Sequence, residues 1–276
     1  MTKKALFSII KEAKHEERVK AQKGLKMIKL LVCDVDGTLL TSGASRISDD
    51  VIKLLCGIYD KNIKLAIASG RSYTDLCELF AGISDKLYFI CHDGALCINQ
   101  GKVLYRKSVT LESIAQFASQ YSGKYKCTAF YGTDKCYVIG SQLPAAGKNT
   151  VIIKKPYEIK EQIYKLAVYD DESTDINIIP ASVHGLRICS HAGGCLEYVS
   201  SFANKGAALC DLQNRLFLTK FDTAAIGNDV NDIKMFRYAK YSASLSPYGS
   251  EASQAAEYKV DSAEEFLTMI LHSPNL

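Results

Sequence analysis

Hydrophobic positions in this chain change period from one region to the next. Over residues 27–34, "MIKLLVCD", apolar side chains run almost unbroken, the pattern of a strand buried on both faces. Behind Ser48, a residue suited to cap a helix, Val51, Leu54, Leu55 and Ile58 recur at helical spacing. "KLAIASG" predicts a second strand, "SYTDLCELF" a second helix and "KLYFICHDG" a third strand. Strand and helix alternating in this order imply an α/β fold with a doubly wound, Rossmann-like parallel sheet.

The rhythm breaks near residue 93. "ALCINQGKVLYRKSV" reads as a hairpin turning at Gln100-Gly101, and "LESIAQFASQYS" as a helix. "KCTAFYG", "KCYVIG" and "IYKLAVYD" read as further short strands. This antiparallel α+β stretch predicts an inserted cap domain over 93–187, with the core formed from 27–92 and 188–276. After "LRICSHAGGCLEYVS" the alternation resumes: a helix across "NKGAALCDLQNRL", a strand across "DTAAIG", a helix across "DVNDIKMFRYA", a strand at "YSASLS" and a closing helix at "SAEEFLTMILH". Residues 1–26 stand apart. Leu6, Phe7, Ile9, Ile10 and Ala13 share one helical face ahead of a charged run ending at Gly24, which predicts a basic amphipathic N-terminal helix or extension.

Composition narrows the class more than the chemistry. The 276 residues are 47% hydrophobic and 23% charged, ordinary values for a globular protein. The net charge of +4 sits in the first 26 residues, which hold eight Lys or Arg against three Glu. The remaining 26 basic and 27 acidic residues balance, so no nucleic-acid face is expected. No apolar run approaches the roughly 18–20 residues of a membrane span, and the N-terminus does not look like a secretory signal. Ten scattered cysteines without a CxxC pair read as buried thiols in a reducing compartment, which predicts a cytoplasmic protein. Nothing in the pattern fixes an oligomeric state.

In an open α/β sheet, ligands bind beyond the carboxyl ends of the strands. Four polar groups fall at such ends: Asp34-Val35-Asp36-Gly37-Thr38, Ser69-Gly70-Arg71, Lys205, and Gly227-Asn228-Asp229-Val230-Asn231-Asp232. A buried carboxylate is costly unless paired, solvated or metal-bound, and two of them one residue apart need a reason. The inventory suits a phosphate held against Mg²⁺, which prefers oxygen ligands with one or two carboxylates among them. Asp34 can present a carboxylate to metal and phosphorus, Asp36 lies at the mouth of the site, and Ser69 and Lys205 can hold phosphoryl oxygens.

These motifs, "DVDGTLL", "AIASGR", "NKGAAL" and "GNDVND" in that order, resemble the haloacid dehalogenase superfamily of phosphohydrolases. More closely, the chain is similar to the Cof-type sugar-phosphatase group, whose large α/β cap lies between the second and third motifs. The likeness covers about residues 28–262 and includes "YFICHDGAL" and "LEYVSSFANKGAAL" at the cap junctions. The resemblance implies Asp34 as nucleophile, forming an aspartyl-phosphate, and Asp36 as general acid and then base. It implies Thr38 positioning Asp36 and the turn, Ser69 and the Gly70 backbone binding phosphate, and Lys205 stabilising the transferred phosphoryl group. Arg71 takes a supporting role near the cap and Asn231 lies near phosphate. Mg²⁺ would be held by Asp34, the Asp36 carbonyl and a fourth-motif residue. Where the family usually has Asp, this chain has Asn228, here expected to bind the metal directly, with Asp232 behind it and Asp229 able to contribute through water.

The expected activity is therefore a Mg²⁺-dependent phosphatase for small phosphorylated metabolites such as sugar phosphates. A phosphomutase on the same scaffold, or a phospho-acceptor module without turnover, are the alternatives. The cap would select the leaving group, with Lys124, Tyr125, Lys126, Tyr131, Lys135 and Tyr137 as plausible contacts. His92 and Asp93 either line the cleft or form a structural turn at Gly94. His184 and His191 are read as packing or surface residues, and Cys33 as core.

Overall fold

A computed structural model of the chain describes residues 28–141, 149–170, 185–192 and 194–272. The helix expected over 1–26 and His184 lie outside the described residues. Strand β1 (Leu30–Asp34) is buried at all five positions. Ser48 caps α1 (Asp49–Asp60) by accepting the Val51 amide, and Asp49 and Asp50 complement its dipole. Then come β2 (Lys64–Ala68), α2 (Tyr73–Leu79) capped by Ser72, and β3 (Leu87–Cys91). A hairpin follows, β4 (Leu96–Asn99) and β5 (Lys102–Arg106), turning through Gln100 and Gly101, both at positive φ.

Helix α3 (Leu111–Tyr121) leads into β6 (Cys127–Tyr131), β7 (Cys136–Gly140), β8 (Thr150–Ile152), β9 (Lys165–Tyr169), β10 (Leu186–Ala192) and β11 (Cys195–Ser200). The chain closes with α4 (Lys205–Arg215), β12 (Thr223–Gly227), α5 (Ile233–Phe236), β13 (Tyr241–Ser244), α6 (Glu251–Ala255), β14 (Tyr258–Lys259) and α7 (Ala263–Leu271).

Two sheets result. The eight-stranded sheet has the order β14-β13-β12-β1-β2-β3-β4-β5, parallel from β14 to β3 and antiparallel across the hairpin. Strand β1 lies between β12 and β2, where the winding reverses, and register sets Asp34 beside Ala68 and Cys33 beside Ile226. Three carboxyl ends therefore meet at the crevice where such sheets bind ligands. Leu31, Cys33, Ile67 and Ile226 pack with α1 and α7 on one face; Leu30, Val32, Ala66 and Ala225 pack with α4 and α5 on the other. Cys33 faces that core, as alternation along the strand demands. All ten cysteines are free thiols, four buried and six half-buried.

The six-stranded cap sheet has the order β10-β11-β9-β6-β7-β8. Its outer face buries Phe130, Leu166, Val168 and Tyr198 against Ile114, Phe117 and Tyr121 of α3. Tyr137 belongs to this cluster and is buried, so it is no ligand contact. Its other face carries Tyr131, Lys165, Tyr169 and Glu197 among small residues.

Sheet membership differs from the expected insert at 93–187. The hairpin over 96–106 extends the eight-stranded sheet because β4 turns straight back onto the exposed edge of β3. Residues 186–200, expected mostly in the core, pair with each other and with β9 in the cap sheet. A hairpin's pattern states that two strands pair, not which edge receives them.

Candidate active site

The end of β1 places Asp34 in a nearly dry environment. Its Oδ1 accepts from Lys205 Nζ at 2.6 Å and its Oδ2 from Thr38 Oγ1 at 2.8 Å. Lys205 opens α4, whose N-cap is Asn204, and its Nζ also donates to Asp232 Oδ1 at 2.7 Å. All three side chains are at least nine-tenths buried. Burial alone would lower the Lys205 pKa, but the two carboxylates outweigh it and hold the ammonium above its ordinary value. Asp34 shares that ammonium with Asp232, and burial pushes its carboxyl up to about 7 against the pull of Lys205. Fully ionised, the trio carries one surplus negative charge.

The loop after β12 supplies the next layer. Asp232 Oδ2 accepts the main-chain amides of Asn228 at 2.9 Å and Asp229 at 3.1 Å, fixing the turn that aims Asn228. The Asn228 terminal oxygen lies 3.1 Å from Asp34 Oδ2 and 3.1 Å from the Asp36 carbonyl oxygen. Three oxygens this close repel unless a cation lies among them, or unless the amide turns to donate from Nδ2. With the amide oxygen inward the donor set is all oxygen and suits a hard divalent cation, and the two 3.1 Å separations from Asn228 lie near the about 2.9 Å edge of an octahedron with Mg²⁺-type bonds. Gly37 makes the approach feasible. Its φ is +76°, and the Asn228 side chain occupies the space a Cβ would need.

At the mouth, Arg71 grips Asp36 as a fork, with Nη2 to Oδ1 at 2.7 Å and Nε to Oδ2 at 3.0 Å. Ser69 is fully buried, and its Oγ accepts the Arg71 amide at 3.2 Å. Asn231 Nδ2 donates to Asp93 Oδ1 at 3.1 Å, while Asn231 Oδ1 is buried without a protein partner. Oriented donors around a cation-ready carboxylate can receive a phosphoryl group and stabilise charge as it moves.

The structure brings Asp34, Asp36, Thr38, Ser69, Gly70, Arg71, Lys205, Asn228, Asn231 and Asp232 to one end of the sheet. Two expected placements differ, those of Thr38 and Asp229. Thr38 bonds Asp34 rather than Asp36, because the turn at Gly37 carries Asp36 outward while Thr38 folds back under β1. Arg71, expected in a supporting role near the cap, forks onto Asp36 beside the Gly70 carbonyl that cap residue Lys165 reaches. Asp229 is exposed, and its carboxylate caps the amide of Val230, so it serves its own turn. Asp93 is part of the site, and the left-handed turn at His92-Asp93-Gly94 is real as well. His191 is exposed on β10. Periodicity did not flag Lys165 and Glu197, which pair at 2.6 Å on the cap face above Gly70. A charged residue inside the apolar run "YKLAVY" was their only signal.

The profile of the haloacid dehalogenase-like hydrolases matches residues 31–266. The 5-amino-6-(5-phospho-D-ribitylamino)uracil phosphatase YbjI of Escherichia coli K12 is 21% identical over 261 residues, covering 85% of this chain and 91% of its own. A solved haloacid dehalogenase-like hydrolase from B. subtilis superposes with a TM-score of 0.72 at 18% identity, covering 89% of this chain and 99% of that one. The HAD subclass IIB sugar phosphatase BT4131 gives 0.68 at 20% identity, covering 87% and 98%. At these identities the structural likeness establishes the fold: a parallel core sheet with a second sheet as cap.

Proposed function

The chain belongs to the haloacid dehalogenase-like hydrolase family, and on that premise we propose that it is a Mg²⁺-dependent phosphatase of small phosphate monoesters. Sugar phosphates and related metabolites are the substrate class we favour. The named activities of YbjI and BT4131 support the reaction class. The observation that carries the reading is the approach of the Asn228 amide to within 3.1 Å of both Asp34 Oδ2 and the Asp36 carbonyl. It sits directly beside a carboxylate whose other oxygen meets a buried ammonium.

In the proposed reaction, Asp36 leaves the Arg71 fork and is protonated from solvent; Asp34 Oδ1 attacks phosphorus, the bond to the leaving oxygen breaks, and that oxygen takes the proton from Asp36. The product is an aspartyl-phosphate on Asp34 and a free alcohol. Asp36 then takes a proton from water, whose oxygen attacks phosphorus and releases inorganic phosphate and the Asp34 carboxylate. Lys205 holds Asp34 in line and offsets charge on the phosphoryl oxygens, and Ser69, Gly70 and Asn231 supply further contacts. Thr38 fixes the Asp34 rotamer by its 2.8 Å bond to Oδ2. Asp34, the Asp36 carbonyl and Asn228 would hold Mg²⁺, which would supply charge neutralisation when bound. The cap, which we place between the end of β5 and the end of β11, excludes water and selects the alcohol.

Phosphate release from sugar phosphates, nucleotides and an aryl phosphate, with and without Mg²⁺, tests this reading. Mg²⁺-dependent release abolished in Asp34→Asn is expected. Isomerised product activated by a bisphosphate would replace it with a mutase, and stable phospho-Asp34 without release would replace it with an acceptor module.

A further inference from the structure

Where the two sheets meet, a buried ammonium stands outside the chemistry described so far. Lys165 opens β9 on the inner cap face, and its side chain is 8% exposed. Its Nζ donates to Glu197 Oε1 on β11 at 2.6 Å and to the main-chain oxygen of Gly70 at 3.0 Å. It also lies 5.0 Å over the Tyr131 ring. Glu197 and Tyr131 belong to the cap, whereas Gly70 belongs to the core turn that follows β2. One side chain thus bridges both sheets.

A second carboxylate explains why a cation is needed there. Carboxylate oxygens of Asp93 and Glu197 and the Cys189 thiol lie within 4.8 Å of one another. Asp93 comes from the core and is buried; Glu197 comes from the cap. Like charges at this distance, shielded from water, push the two sheets apart unless an opposite charge joins them. Lys165, bonded to Glu197 and near enough to Asp93 to feel its charge, supplies that charge.

Asp93 in turn touches the phosphate-binding side. Its amide donates to the Ser69 carbonyl at 3.0 Å, its Oδ1 accepts from Asn231, and its carboxylate presses on Gly70 where a side chain would begin. The His92 amide donates to the Arg71 carbonyl at 3.1 Å. His92 and Asp93 are consecutive non-glycine residues at positive φ, a conformation that persists where the surroundings over-determine it. The Gly70–Arg71 peptide accepts from Lys165 at its oxygen and presents its N–H to Ser69 Oγ. A cation on the oxygen of a peptide strengthens that peptide's N–H as a donor.

We propose that Lys165 is a positioning residue that couples seating of the cap to the geometry of the Ser69-Gly70-Arg71 turn. Phosphate then binds tightly only when the cap is down, because the turn gains its last donor from the cap itself. The inference rests on the functional reading above in taking that turn as the phosphate site. A cap that swings away removes Lys165 from both Gly70 and Asp93.

The test uses the full chain with Mg²⁺, inorganic phosphate as the probe, hydrogen exchange at Arg71, His92 and Asp93, and small-angle scattering for cap seating. Lys165→Met is expected to weaken phosphate binding about tenfold, speed exchange at those amides and enlarge the radius of gyration. Adding Glu197→Gln removes the repulsion, so the compact radius returns while phosphate binding stays weak, since Gly70 still lacks its donor. Lys165→Arg keeps both properties. Should Lys165→Met fail to fold, the double variant carries the same phosphate test.

Phosphate binding like wild type in a folded Lys165→Met protein overturns the proposal. So does a double variant that regains radius and phosphate affinity together, the behaviour of a lysine that only fills space. A wild type that releases no phosphate from any monoester sinks the functional reading, yet exchange and scattering still decide whether Lys165 couples cap and turn.

Discussion

Replacing Lys205 by methionine is the sharpest perturbation of the candidate site. The substitution keeps most of the side chain's volume and deletes a charge that lies 2.6 Å from Asp34 and 2.7 Å from Asp232. Breaking a buried ion pair by removing one partner costs about 3–5 kcal/mol, because the other charge is left uncompensated. Here two carboxylates are left, so the upper end applies at pH 8. Protonating one carboxylate relieves the repulsion at about 1.4 kcal/mol per pH unit above its unfolded value near 4. By that route the loss shrinks to about 1–2 kcal/mol at pH 5. Burial already holds the folded Asp34 carboxyl above its unfolded value, at about 7, and without the ammonium it lies higher still. Stability is then fully present at acid pH and lost as pH rises through the folded value. Urea unfolding of wild type and Lys205→Met at pH 5 and pH 8, followed by circular dichroism, measures both numbers. Asp34→Asn added to Lys205→Met should recover at least half of the loss at pH 8. A loss below about 1 kcal/mol, or one equal at both pH values, would refute the claim that this lysine neutralises a buried carboxylate pair.

Asn228→Asp adds a carboxylate to the oxygen triad and removes the amide's option of donating to Asp34 and Asp36. Calorimetric titration should show Mg²⁺ binding tightened by about tenfold, the scale of one charge contact, and unchanged affinity would count against Asn228 as a ligand. His92 is buried, stacked at 9° on Tyr164 and held neutral, burial lowering its pKa to about 3. Because the folded value lies below the unfolded one, its contribution is present above pH 6.5. It is lost on acidification at up to about 1.4 kcal/mol per unit, so His92→Phe should flatten the stability curve between pH 6.5 and 4. A parallel curve would contradict that. Thr38→Val deletes the 2.8 Å bond to Asp34 and should lower kcat more than it raises KM, whereas Thr38→Ser should retain activity. A shift confined to KM would mean Thr38 contacts substrate instead.

Much of the site was legible because its residues occupy strand ends. Asp34 interrupts an apolar run, Ser69 and Asn228 follow two others, and parallel winding brings those ends together without any side-chain detail. Lys205 was placed by its motif, although its burial between two carboxylates was not predictable from a helix-start position. Partner choice within a few residues was less legible. Thr38 goes to Asp34 and Arg71 to Asp36 because the left-handed turn at Gly37 separates side chains that neighbour each other in sequence. The cap was the least readable part. Its hairpins pair strongly but do not state their sheet, and Lys165 and Glu197 meet only through strands 32 residues apart in the chain. Long-range pairing of this kind leaves only a lone charge in an apolar strand as its trace.

The aspartyl-phosphate proposed on Asp34 can be trapped during turnover. Borohydride added during steady-state hydrolysis of an aryl phosphate reduces an acyl phosphate to the alcohol, and peptide mass spectrometry then locates it. Homoserine at position 34 in wild type, and none without substrate, is the expected result. Continued phosphate release with Asp34 never reduced, or the mark appearing on another carboxylate, would contradict it.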